Sequence, residues 1–161
     1  MGLSAEFEIL FHPDMKLQPK EVALIYSSDG KSWEDYFANR LTEKNWNVTM
    51  YDLQVDQQIE FFIRVIVKDG RIMLVRKEGQ NYKVKVRDNT SSEKYKAQIR
   101  ITDDILSHAG RRCLICDQVI PKNKNLCQTD GCSATYCPYC QRMLPPFSNF
   151  CPWDKKSFAV R

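Results

Sequence analysis

The chain has 161 residues, 43% of them hydrophobic and 27% charged, with a formal net charge of +4. This is the composition of an ordinary soluble globular protein; it excludes low-complexity chains, and so mild a charge argues against a partner held by its phosphate backbone. Apolar runs such as Phe61-Phe62-Ile63 are too short to span a bilayer, and no stretch has the order of a signal peptide, so a cytoplasmic protein without membrane contact is expected.

Met1-Gly2 invites a myristoylation reading, but Glu6 stands where that motif needs Ser or Thr. From Glu6 onward the chain reads as strands broken by turns. Glu6–Phe11 alternates polar and apolar, and Glu21–Tyr26 is apolar and ends at the turn signal Ser27-Ser28-Asp29-Gly30. Ser32–Glu43 fits either a short helix capped by Ser32 or an irregular strand. Trp46, Val48 and Met50 share one face of a strand over Trp46–Leu53. Ile59–Val67 is the densest strand; Asp69-Gly70 then turns the chain into Arg71–Val75. Tyr82–Val86 and Lys96–Ile101 alternate in the same way. Seven short strands separated by turns predict a β-sandwich over residues 1–103. Residues 104–110 read as a linker or short helix ending at Gly110, and residues 111–161 as a second, small domain.

The words Leu24-Ile25-Tyr26-Ser27-Ser28-Asp29-Gly30-Lys31-Ser32-Trp33, Trp46–Leu53 and Ile59–Gly70 resemble those of immunoglobulin-like sandwich modules of prokaryotic proteins. Similar words occur in starch- and glycogen-binding modules. That resemblance implies a carbohydrate-binding alternative in which Trp33 or Trp46 stacks on sugar. The phase of Trp46 with Val48 and Met50 places it in the core instead, and Trp33 is also read as core.

All seven cysteines follow residue 112: Cys113, Cys116, Cys127, Cys132, Cys137, Cys140 and Cys151. The odd count, the Cys-x2-Cys spacing and the absence of an export signal point to metal rather than disulfides. Asp154 lies in register with Cys116 and Cys140, three residues beyond Cys151, and completes eight ligands for two structural Zn2+ ions. The oxygen ligand makes the second site the more labile one. Two pairings fit. A cross-brace joins Cys113, Cys116, Cys137 and Cys140 at one ion, and Cys127, Cys132, Cys151 and Asp154 at the other. A sequential pairing joins the first four and the last four, as in tandem zinc ribbons, and an internal Cys-x2-Cys-x10-Cys repeat supports it. Ligand spacing and the short connection from Cys132 to Cys137 tilt the reading to the cross-brace. Residues 111–161 carry eight Lys/Arg and three Asp/Glu. Ionising seven thiols and adding two divalent ions takes this segment from +5 to about +2, so a nucleic-acid-binding ribbon is disfavoured.

The order Cys-x2-Cys, Cys-x4-Cys, Cys-x2-Cys, Cys-x2-Asp resembles the RING, FYVE and PHD group of cross-brace (treble-clef) fingers, RING fingers above all. The resemblance implies a surface for a ubiquitin-conjugating enzyme formed by Ile115, Leu144, Pro152 and Lys155, with Lys155 at the place of the basic linchpin. The chain departs from RINGs in having Cys132 where they usually have His, and in Pro145-Pro146 cutting short the following helix. Eight ligands for two ions leave no open coordination position. With no nucleotide-binding, nucleophile-elbow or zinc-protease motif either, no intrinsic active site is expected. Cys137-Pro138-Tyr139-Cys140 lacks the βαβ context of a redox pair. The expected function is a zinc-binding, non-catalytic interaction or adaptor protein with a protein partner, in its sharpest form a RING-type ligase module.

Overall fold

The computed structural model describes residues 3–86 and 94–161; the Met1-Gly2 reading lies outside them. The chain divides into two compact units, Met1–Val65 with Leu74–Ser107, and Ile66–Met73 with His108–Arg161. The class is mainly β, and among the described residues no helix is long and apolar enough to cross a membrane.

The first unit contains β1 (Leu3–Phe11), β2 (Pro19–Ser27), β3 (Glu34–Phe37), β4 (Asn39–Arg40) and β5 (Asn45–Leu53). It continues with most of β6 (Gln58–Val67), the end of β7 (Arg71–Val75), β8 (Tyr82–Lys85) and β9 (Lys94–Ile101). One sheet has the order β4-β5-β1-β9, with β1 antiparallel to β5 and parallel to β9. In a second sheet β2 lies between β3 and β6, and β8 pairs with β6. Period-two patterning builds the core between them. Ala5, Phe7, Ile9 and Phe11 of β1 are buried, as are Ile59, Phe61, Ile63 and Val65 of β6. The rings of Phe7 and Phe61 meet edge to face, 5.2 Å apart. Strand β5 keeps the alternation through Trp46, Val48 and Met50, then shifts phase. Asp52 takes a left-handed conformation (φ 58°), and Leu53 rather than Asp52 turns inward. All seven strands expected from the sequence are present. The segment 32–43 takes its strand reading, as β3 and β4, not the helical one.

The second unit contains β10 (Leu106–Arg112, from His108 on), β11 (Val119–Pro121), β12 (Thr135–Tyr136), β13 (Met143–Leu144), β14 (Phe150–Cys151) and β15 (Lys156–Ser157). It also takes in the Asp69-Gly70 turn, where Gly70 (φ 94°) accepts at its carbonyl the N–H of Arg112 at 2.7 Å. Residues 104–110, expected as linker or short helix, are part of a single 3-10 turn at Asp103–Ile105 and then of β10, which pairs with β11. One small core gathers around Cys113, Ile120, Cys127, Ala134 and Tyr136, another around Cys137, Leu144 and Cys151. Both are too small to hold a fold by apolar burial alone, which is the condition under which small domains rely on metal.

Candidate metal centres

Two four-ligand clusters form, and they follow one another along the chain. Cys113, Cys116, Cys127 and Cys132 have all their sulfurs within 4.8 Å of one another; so do the ligand atoms of Cys137, Cys140, Cys151 and Asp154. This is the sequential pairing. The cross-brace favoured by spacing is corrected: each set of four is drawn from consecutive ligands, and the short connection from Cys132 to Cys137 turns at left-handed Ser133 and then extends. Through Thr135–Tyr136 it runs as β12, whose rise of roughly 3.3 Å per residue helps carry the chain from one cluster to the next. Along the way, Cys127 donates its N–H to Ala134 O at 2.8 Å and Tyr136 donates to Asn125 O at 2.8 Å.

Local geometry repeats at the three ligand pairs separated by two residues. Asp117 donates its N–H to Cys113 O (2.9 Å), Gln141 to Cys137 O (2.9 Å) and Lys155 to Cys151 O (2.7 Å). The residue after the second ligand is left-handed every time: Asp117 at φ 64°, Ser133 at 55°, Gln141 at 67° and Lys155 at 56°. That turn aims backbone N–H groups at sulfur. Tyr139 and Cys140 approach Cys137 Sγ at 3.4 and 3.5 Å, and Asp154 N–H approaches Cys151 Sγ at 3.5 Å. Asp154 therefore occupies the same place in its turn as Cys116 and Cys140 do in theirs. Lys155, the linchpin of the RING resemblance, is the left-handed residue of this turn.

The donor sets fit a tetrahedral ion. Metal–sulfur bonds of about 2.3 Å place tetrahedral sulfurs about 3.8 Å apart. Cys113 and Cys132 lie 3.7 Å apart, Cys116 and Cys127 3.4 Å, and Cys140 and Cys151 3.7 Å. In the second cluster the Cys137 thiol donates to Asp154 Oδ2 at 2.9 Å. Burial and that bond push the Cys137 thiol up to about 12, and the same bond holds the Asp154 carboxyl below its ordinary value. In the first cluster the Thr129 hydroxyl, 3.5 Å away, pulls Cys116 down to about 6. The crowded thiols thus include some shifted down (Cys113, Cys116 and Cys151) and others shifted up (Cys132, Cys137 and Cys140), a conflict that a divalent cation resolves by ionising its ligands. The residues present can hold two metal ions, one per cluster. His108 belongs to neither cluster; burial lowers its pKa.

Sequence reasoning missed two supporting residues. Arg111 is buried; its guanidinium lies 3.6 Å from the centre of the Tyr136 ring and donates to Gln141 O at 2.7 Å and to Asp69 O. The Tyr136 hydroxyl accepts the Leu114 N–H at 2.9 Å and points at Cys113 Sγ, 3.6 Å away. Buried Asn125 donates to Ala159 O at 2.8 Å and accepts from Arg161 N–H at 2.7 Å. No spacing rule flags either residue; the only signal is a charged and an amide side chain flanking ligand positions. The residues expected to line a docking groove are not alike. Ile115 is 63% exposed, and Pro152 and Lys155 are exposed, but Leu144 is 5% exposed and packs against Cys137 and Cys151. Leu144 is therefore core of the second cluster rather than groove wall. In the first unit Trp46 is buried at 4%, whereas Trp33 is 39% exposed with its ring against Phe62.

No family model matches the chain, and no curated protein does. Among solved structures, a glycoside hydrolase family 15 glucoamylase from Hypocrea jecorina aligns at a TM-score of 0.46 and 12% identity, over 61% of this chain and 17% of that one.

Proposed function

We propose that the chain is a non-catalytic zinc protein whose second unit is a pair of tandem zinc ribbons serving as a protein-interaction module. The observation that supports this reading is the presence of two complete four-ligand sets. A soft, thiolate-rich tetrahedral set favours zinc, and a closed set is structural, whereas a catalytic zinc keeps a position open for water. Binding energy at such sites is folding energy, so metal fixes the surface that a partner reads.

The narrower RING-type version, with Ile115, Pro152 and Lys155 seating a ubiquitin-conjugating enzyme, lacks a cross-braced scaffold and lacks Leu144 as a groove wall. We therefore place the interaction role ahead of the ligase role. The test is elemental analysis of the purified protein together with a ubiquitin-discharge assay. Two zinc ions per chain and no stimulated discharge are expected. Stimulated discharge lost on Ile115→Ala would replace this reading with the ligase. A zinc-free protein that still folds its second unit would end both.

A further inference from the structure

The two halves of the second cluster present the same surface chemistry. Cys137-Pro138-Tyr139-Cys140-Gln141-Arg142 and Cys151-Pro152-Trp153-Asp154-Lys155-Lys156 each place proline second, an aromatic third, a ligand fourth and a cation sixth. In space the pairs cross over. Lys156 Nζ lies 4.7 Å from the centre of the Tyr139 ring, and the Arg142 guanidinium lies 5.0 Å from that of Trp153. Both rings stay open to solvent, at 55% and 56%. The ligand turns themselves do not require this: Cys113-Leu114-Ile115-Cys116-Asp117-Gln118 makes the same left-handed turn with neither ring nor cation.

Tyr, Trp and Arg are the side chains most often found at the energetic centre of protein interfaces, and rings already pinned by a cation and by adjoining ligands lose little freedom on binding. The charge of the patch is one-sided. Arg142 and Lys156 lie against the rings, exposed Lys155 adjoins Lys156 in the chain, and the only carboxylate side chain from residue 137 to 161 is Asp154, which is turned to the cluster. From this charge complementarity we infer that the Tyr139/Trp153 face binds an acidic peptide segment. Its carboxylates pair with Arg142, Lys155 and Lys156, and an apolar side chain between them lies on the rings. A nucleic-acid strand fits less well. Three cations make a short track for a phosphate backbone, and the Arg111 cation is buried against Tyr136. The inference rests on the interaction reading above and names the partner's chemistry.

The test uses the metal-loaded full chain and a short fluorescein-labelled peptide of glutamates around a leucine pair. The comparison probes are the glutamine counterpart of that peptide and a deoxythymidine oligonucleotide. The acidic peptide is expected to bind at least about tenfold more tightly than either comparison. Arg142→Gln/Lys156→Gln and Tyr139→Ala/Trp153→Ala are each expected to weaken it by about tenfold or more, with two metal ions retained, while Ile115→Ala leaves it unchanged. Should the Tyr139/Trp153 variant lose metal, the charge variant, which keeps both rings, decides. Equal binding of the glutamine peptide, tighter binding of the oligonucleotide, no binding, or indifference to both variants would overturn the inference. With two ions counted in the same sample, such a failure leaves the interaction reading standing; a protein that folds without metal ends that reading instead.

Discussion

The Arg111 guanidinium lies over the Tyr136 ring, 3.6 Å from its centre, while the hydroxyl of that ring approaches Cys113 Sγ at 3.6 Å. Through its bond to Gln141 O, the same guanidinium holds the turn that follows Cys140. One buried cation thus touches the supports of both clusters. Each filled cluster carries net negative charge, since four anionic ligands outweigh one divalent ion, so a cation between them is electrostatically favoured.

Arg111→Met keeps most of the volume but leaves two carbonyls without their donor. A loss of about 2–4 kcal/mol in the stability of the second unit is expected, read by denaturant titration of the metal-loaded protein. Arg111→Lys should restore less than half of it, because one ammonium cannot reproduce the planar fork.

Gly110 sits at φ 139°, and a Cβ there would lie 2.6 Å from Ile120 O across the β10–β11 pair. Gly131, at φ 80°, has nothing within 4 Å. Gly110→Ala should cost about 2–3 kcal/mol, and Gly131→Ala only about 1, in the same denaturation assay.

Much of this could be read from the residues. Period-two patterning marks strands such as β1 and β5 because one face of each is buried, apolar runs and turn signals mark others such as β2, and cysteine spacing marks the metal ligands. Asp154 was found by register with Cys116 and Cys140, and the structure gives its turn the same left-handed residue. The pairing is not legible because spacing counts residues and not their conformation: an extended Thr135–Tyr136 reaches farther than a coiled pair of residues. The burial of Leu144 is not legible for a related reason. A resemblance assigns a residue to a surface, but burial decides, and small metal cores recruit whatever apolar side chain is nearest. Arg111 and Asn125 were invisible because long-range contacts of single polar residues leave no periodicity.

The tryptophans separate core from surface in the first unit. Trp46→Ala should cost about 3–5 kcal/mol, and Trp33→Ala about 1. Stern–Volmer quenching should reach Trp33 and Trp153 but not Trp46. Protection of Trp33 by soluble malto-oligosaccharides would support the carbohydrate alternative; unchanged quenching would remove it.

Metal uptake must strip protons from thiols that hold them, Cys132 and Cys137 both being pushed up to about 12. Binding therefore releases protons, and affinity falls as pH falls. In competition with a chromophoric chelator, the second ion should leave first on acidification, because its set includes a carboxylate. Asp154→Cys should remove that difference, and Asp154→Ala should weaken the second site selectively.

The central claim is that the two metal centres succeed each other along the chain, and the double variant Cys113→Ser/Cys127→Ser tests it most directly. Both sulfurs belong to the first cluster, so native mass spectrometry should find one zinc ion per chain, held by Cys137, Cys140, Cys151 and Asp154. In a cross-brace each substitution would break a different site. A variant that binds no zinc while wild type binds two would contradict the account.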